Sequence, residues 1–122
     1  MEFEELHRAI GELVQARWPD AVRKNVGEGA YELDAYVVPV PDHPPKESWK
    51  GTLPNDVFVI GPTEKKAGIT IHVWHPNHPY LLKENADWLA EAGFKPMVGC
   101  LQWNRKAPLD LESFGKLLDR VA

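Results

Sequence analysis

The chain has 122 residues, a length that corresponds to one domain of ordinary size. A hydrophobic content of 43% and a charged content of 26% are typical of a globular protein and exclude a mainly disordered chain. The 14 basic and 18 acidic side chains give a formal net charge of −4, which disfavours nucleic acid as a partner. A single cysteine excludes an internal disulfide and a multi-cysteine zinc site.

The cellular compartment is predicted from the same composition. The first ten residues, MEFEELHRAI, are acidic and do not have the pattern of a secretory signal. No stretch approaches the roughly 18 consecutive apolar residues of a membrane-spanning helix. One unpaired cysteine fits a reducing interior. We therefore expect a cytoplasmic protein without a membrane partner.

The first third of the chain predicts a helix followed by two strands. Apolar side chains recur at helical spacing over residues 2–17, and Trp18-Pro19 ends this pattern because the residue before proline disfavours helix. Residues 21–26 predict a short strand. Residues 30–38 alternate between apolar and polar side chains, which predicts a second strand with one covered face.

A proline-rich segment then interrupts the pattern. Residues 39–56 contain five prolines, which disfavour sheet pairing and favour extended chain. A loop of this length is unusual inside a compact domain and is often functional. Trp49 lies in its middle, so we expect the segment either to cover a sheet face or to form a contact site.

The remaining elements are predicted from short apolar runs. Residues 57–61 and 68–74 predict strands joined by a polar connection at 62–66, and residues 79–92 predict one helix that Pro79 begins and Gly93 ends.

Residues 97–103 predict the last strand, with a bulge or close backbone approach at Gly99, and Asp110 is expected to cap a final helix. The predicted fold is a single α+β domain over residues 1–122. It has a mainly antiparallel sheet of about five strands and three helices on one face, in the order α-β-β-β-β-α-β-α.

The most suggestive chemical feature is a set of three histidines, His72, His75 and His78, that follow one another at intervals of three residues. Neutral imidazole is the commonest metal ligand and a natural proton carrier near neutral pH. Residues three apart on a strand point to opposite faces, so His72 and His75 are not expected to share an ion. His75 and His78 flank a turn and can converge, which makes them the candidate metal ligands. The alternative is one histidine on the outer sheet face and two in a turn, without a metal.

Aromatic side chains predict a second kind of site. If the helices cover one sheet face, the other face is expected to carry His72, Trp74 and Trp103, with Trp49 brought onto it by the proline-rich segment. These four are the candidate ligand-binding residues.

Cys100 is expected to be a small core residue rather than a nucleophile. The remaining candidates are Glu32 and Asp34, which share a strand face. We interpret them as solvated surface charges rather than as a catalytic acid–base pair.

The C-terminal half resembles a known family in several segments, namely GITIHVW, LLKENADWLAEAGF, VGCLQW and PLDLESFGKLLDRV. These are similar to the YdhG-like family of small proteins, the domain of unknown function numbered 1801, over residues 1–36 and 57–122. The 39–56 segment departs from that pattern. The family is often labelled as similar to frataxin-type iron chaperones, so the resemblance implies weak iron handling by acidic groups of the first helix, with Glu2, Glu4, Glu5 and Glu12 as counterparts.

We therefore expect a binding protein rather than an enzyme, with a small ligand or iron at the sheet face beneath the 39–56 segment. Two alternatives stay open. One is a small enzyme that uses His72 or His75 as a base. The other is a homodimeric scaffold built through the sheet face.

Overall fold

The computed structural model describes residues 2–27, 32–43, 56–66, 68–103 and 108–122. The fold is α+β, as predicted, with an antiparallel sheet. Six strands and four helices are described rather than about five and three. In chain order they are α1 Phe3–Arg17, β1 Val22–Val26, β2 Leu33–Pro39, β3 Val57–Lys65, β4 Gly68–Trp74, α2 Leu81–Glu84, α3 Ala86–Glu91, β5 Phe94–Pro96, β6 Cys100–Trp103 and α4 Leu111–Asp119.

The sheet has the strand order β1-β2-β3-β4-β6-β5, and every neighbouring pair is antiparallel. All four helices pack on one side, which we call the helix face. Their buried apolar side chains form one core with those of the strands, including Ile10, Leu82, Leu89, Phe114, Tyr36, Phe58, Ile60, Ile71 and Leu101. The opposite side, which we call the second face, carries a smaller cluster whose described buried members are strand residues: Val26, Leu33, Ala35, Val37, Val59 and Trp74. The predicted placement of the helices against one side of the sheet is therefore the one found, whereas β2 is covered on both faces rather than one.

Strand β3 is longer than its apolar run predicts. Residues 62–66 were expected to form the connection to β4, but β3 continues to Lys65. Pro62 is tolerated in this strand because it pairs with Ile71 of β4, while the ladder to β2 ends at Ile60. Proline is compatible with a strand where one flank makes no ladder hydrogen bond.

The helix predicted over residues 79–92 is two short helices, and it begins at Leu81 rather than at Pro79. The break falls at Asn85, whose side-chain amide donates to the carbonyl of Leu81 at 2.8 Å. Its side-chain oxygen accepts from the indole N–H of Trp88 at 2.9 Å. An asparagine that bonds locally in this way competes with the helical backbone, so a periodic apolar pattern did not produce a continuous helix.

The segment before the last strand forms an unpredicted hairpin. Residues 94–96 are strand β5, which pairs antiparallel with β6. Gly99 has a φ of +77° and lies in the turn between them, where the N–H of Met97 donates to the carbonyl of Cys100 at 2.8 Å. Gly99 therefore allows a tight turn, since glycine adopts positive φ without strain. Its carbonyl accepts from the backbone N–H of Val73 in β4 at 3.0 Å, so of the two expected alternatives the close backbone approach is found rather than the bulge.

Helix α4 begins as the sequence predicts. The carboxylate of Asp110 accepts from the backbone N–H of Ser113 at 2.9 Å and from its hydroxyl at 2.8 Å. These bonds hold the pKa of Asp110 below its usual value.

Removing this cap is expected to weaken the fold measurably. The Asp110→Ala variant should lose about 1 kcal/mol of unfolding free energy in urea, because an unfilled N-cap leaves a helix donor without a partner. The Asp110→Ser variant keeps a capping oxygen and should stay close to the parent protein. Equal losses in both variants would contradict a capping role.

Candidate functional site

A cavity lies at one end of the sheet, where α3 meets the ends of β3, β4, β6 and β5. We call it the sheet-end cavity. Its volume is about 420 Å³, a size that suits a small molecule. The described residues that line it are Lys65, Gly68, Ile69, Thr70, Ala90, Gly93, Phe94, Lys95, Gln102 and Trp103.

An aromatic pair provides the apolar part of this lining. The rings of Phe94 and Trp103 lie 4.9 Å apart between centroids, and both side chains are buried. Gly93 has a φ of +97°, and a Cβ there would lie 2.8 Å from the indole of Trp103. The indole therefore packs directly on the backbone that ends α3, and a side chain at position 93 would collide with it.

The polar part of the lining carries positive charge from two lysines, Lys65 and Lys95. Its other polar residues, Thr70 and Gln102, are neutral, and no carboxylate is among the described lining residues. A cavity with ammonium groups beside an apolar wall favours an anion that carries an apolar body.

The strand register extends this charge pattern over the second face. Successive strand residues alternate between faces, which places Lys24, Lys65, Lys95 and His72 on the second face. The described strands place no carboxylate there, whereas Asp34 lies on the helix face. The charged side chains that the described strands place on the second face are therefore the three lysines, in a chain whose formal net charge is −4.

Two predicted ligand-binding residues, His72 and Trp74, lie on the second face as expected. His72 is directly opposite Cys100 in the pairing of β4 with β6. Burial, and next the charge of Lys65, lower the pKa of His72. Burial also raises the pKa of Cys100, which is half-buried, so its thiol stays protonated near neutral pH. Trp74 is buried in the apolar cluster of this face.

The expected placement of Trp103 on the second face is wrong. Trp103 pairs with Ile69 across β4 and β6 and belongs to the core on the helix face. It lines the sheet-end cavity together with Lys65 and Lys95, because residues of both faces border this cavity at the ends of the strands. Trp49, the fourth predicted residue, lies outside the described residues, as does most of the 39–56 segment. Pro39 at the start of that segment is the last residue of β2.

The rings of His75 and His78 converge, at 4.7 Å between centroids. They line a second cavity of about 290 Å³ together with Trp18, Phe58 and Asp42. Nδ1 of His75 accepts from the backbone N–H of Asn77 at 3.1 Å, and burial, with His78 as the next cause, lowers the pKa of His75 to about 4. Groups of three or more potential ligands for a metal ion are absent from the described part of the chain. Metal binding by the two histidines stays a prediction.

A charged cluster that the sequence did not indicate joins α1 to β1 and β2. The guanidinium of Arg23 donates to both carboxylate oxygens of Glu4 at 2.6 and 3.0 Å, and to both of Asp34 at 3.0 and 2.8 Å. These bonds lower the pKa of both carboxyl groups. Asp34 is exposed on the helix face, as expected of a solvated strand charge, and it pairs there with Arg23. Glu4, one of the expected iron counterparts, pairs with the same guanidinium.

His7 is the buried polar residue of the described core and was also missed. It is 1% exposed, and its ring bonds to the carbonyl of Asp34 at 2.8 Å and to the hydroxyl of Tyr36 at 3.2 Å. Its position on the polar side of the α1 pattern gave no signal of burial. Its contacts lie within the core, so we assign it to the packing of α1 on the sheet.

The two lysines of the sheet-end cavity were likewise missed, since isolated lysines in a polar segment have the pattern of ordinary surface residues.

No helix among the described elements is long and apolar enough to cross a membrane. Comparisons of the chain with protein-family models, curated proteins and solved structures found no match. The resemblance to the YdhG-like family, and the iron handling it implies, therefore stay predictions.

Proposed function

We propose that this protein binds a small organic anion, and that the ligand occupies the sheet-end cavity with its charge toward Lys65 and Lys95. The observation that carries the proposal is the composition of the cavity wall. It combines two ammonium groups with the buried Phe94–Trp103 pair and has no described carboxylate. This retains the predicted role of a non-enzymatic binding protein and moves the site from the sheet face beneath the 39–56 segment to the end of the sheet.

Electrostatics support the same ligand class. The chain as a whole carries more acidic than basic groups, so it repels anions at long range. A local cationic surface is therefore needed for an anion to bind. Ion pairs with exposed ammonium groups are screened by salt, so affinity should fall as ionic strength rises.

The enzymatic alternative with a histidine base has less support. Neither His72 nor His75 is among the described residues that line the sheet-end cavity. Burial lowers the pKa of both, to about 4 for His75, and such a weak base takes up a proton with little driving force near pH 7. A homodimeric scaffold and a metal-binding role stay predictions from the sequence.

Three probes with one apolar body test the proposal: 4-phenylbutyrate, its neutral amide, and 4-phenylbutylamine. Titrations followed by nitrogen–proton NMR should show the anion binding tightest, with the largest shifts at Thr70, Gln102 and the indole of Trp103. The Lys65→Glu and Lys95→Glu variants should each weaken phenylbutyrate binding about tenfold, since each reverses a charge at the cavity.

Lys24→Glu is the matched control, because Lys24 lies on the second face but on β1, at the far edge of the sheet. This variant makes the same change in net charge and should bind phenylbutyrate within about twofold of the parent protein. Equal binding of all three probes, or equal weakening by all three variants, would contradict the proposed site.

A further inference from the structure

The strand register points to a more specific ligand. We infer that the ligand carries two anionic groups about 6–10 Å apart, one held by Lys65 and the other by Lys95. This inference rests on the proposed function, because it concerns the ligand of the same cavity.

The pairing of four adjacent strands fixes the relative positions of the two lysines. Lys95 of β5 lies opposite Gln102 of β6, and Gln102 lies opposite Thr70 of β4. Lys65 of β3 lies opposite Gly68 of β4, two residues before Thr70. The two ammonium groups therefore arise from strands that flank β4 and β6, on the same face of the sheet.

These positions set the span of the ligand. Three interstrand spacings and an offset of two residues place the two Cα atoms about 16 Å apart. An ion pair takes up about 2.8 Å at each end, which leaves about 10 Å between the anionic groups when both side chains stand upright on the sheet. The separation falls to about 6 Å when the flexible lysine stems lean toward each other.

The surface between the lysines is compatible with the middle of such a ligand. Gly68 has no side chain to fill the space in front of Lys65, and Thr70 and Gln102 offer a hydroxyl and an amide. The ion pairs among the described residues join Arg17 to Asp119 and Arg23 to Glu4 and Asp34, so neither lysine is paired with a described carboxylate. Binding of an anion to the two ammonium groups therefore displaces no described carboxylate.

A single anionic group leaves one of the two ammonium groups unused. A ligand with two anionic ends gains from both, because the second ion pair forms within the complex at a high effective concentration. The spacing between the ends then selects the ligand: short dianions reach only one lysine, and long ones lose the gain through flexibility.

A series of linear dicarboxylates from malonate to dodecanedioate tests the inference, with the monocarboxylate of equal chain length beside each member. Adipate and suberate, whose extended carboxylates span the required distance, should bind tightest, about tenfold more tightly than hexanoate and octanoate. Dissociation constants would come from the same NMR titrations at low and fixed ionic strength.

Single substitutions separate the two ends of the site. Lys65→Met and Lys95→Met should each abolish the advantage of suberate over octanoate, and Lys24→Met should leave it unchanged. Circular dichroism and urea unfolding would show that the exposed lysine variants keep the fold.

The possible failures are distinguishable. Binding of monocarboxylates and dicarboxylates with equal affinity, lost in the lysine variants, would overturn the two-ended ligand and leave the anion site intact. Absence of binding by every carboxylate in the series, together with no response to phenylbutyrate, would overturn the proposed function itself.

Discussion

Replacing Gly11 with alanine is expected to destabilise the protein by about 2–3 kcal/mol, because the new methyl group has no space. A Cβ at this position of α1 would fall within 3.0 Å of the Tyr36 ring, a distance that real Cβ atoms essentially never show. The ring cannot easily move away, since Tyr36 is buried and its hydroxyl is bonded to the buried His7. Urea unfolding should show the loss although alanine favours helix over glycine by about 1 kcal/mol.

Gly115 in α4 offers a matched control. It is also a buried helical glycine, but the nearest atom to an added Cβ is Nη2 of Arg17 at 3.0 Å, at the end of a flexible side chain. The Gly115→Ala variant should therefore stay within about 1 kcal/mol of the parent protein.

A double-mutant cycle identifies the cause. In a Tyr36→Ala background the ring is absent, and Gly11→Ala should then be neutral or stabilising. If Gly11→Ala cost the same with and without the ring, the steric explanation would be wrong.

Truncation of Phe114 is expected to have the largest effect among the apolar substitutions considered. The Phe114→Ala variant should lose about 3–5 kcal/mol of unfolding free energy, because the removed ring leaves a cavity in a well-packed core. Phe114 is fully buried, and its ring lies 6.5 Å from that of Phe94 between centroids. Phe114 therefore connects α4 to the Phe94–Trp103 pair that lines the sheet-end cavity.

Such a loss approaches the whole stability of many domains, so a milder variant keeps the prediction measurable. Phe114→Leu retains most of the apolar volume and should cost clearly less than Phe114→Ala in urea unfolding. Val98 is 61% exposed in the turn between β5 and β6, and Val98→Ala should change stability by less than about 0.5 kcal/mol. A similar loss in Phe114→Ala and Val98→Ala would refute the central place of Phe114 in the core.

Phe94 connects this core to the proposed ligand site. Its ring centroid lies 6.5 Å from that of Phe114 and 4.9 Å from that of Trp103. A ligand that contacts Trp103 would therefore contact a side chain that Phe94 and, through it, α4 hold in place. Trp103 belongs to the core and also lines the cavity because it lies at the end of its strand.

The local sequence pattern was sufficient to predict the elements whose periodicity or capping residue lies within the element itself. The helical spacing before Trp18-Pro19 predicted α1, the alternation in GITIHVW predicted β4, and Asp110 was identified as the cap of α4. The antiparallel pairing also followed, because short connections prevent parallel pairing. For each of these elements the information lies within a few consecutive residues.

Features that depend on partners distant in the chain required the tertiary structure. The face on which Trp103 lies is decided by its pairing with Ile69, and β5 exists because β6 offers it a hydrogen-bonding edge. The salt bridges of Arg23 join residues 19 and 11 positions away. No local pattern carries such information, because periodicity describes how a segment alternates but not which segment it meets.

Composition and local patterning were sufficient to predict the fold class, helices on one side of the sheet and no disulfide framework. The cavity that Lys65 and Lys95 line together with the Phe94–Trp103 pair is visible only in the folded chain. It forms because strand register brings together the ends of β3, β4, β6 and β5, and register depends on cross-strand hydrogen bonds and core packing rather than on composition.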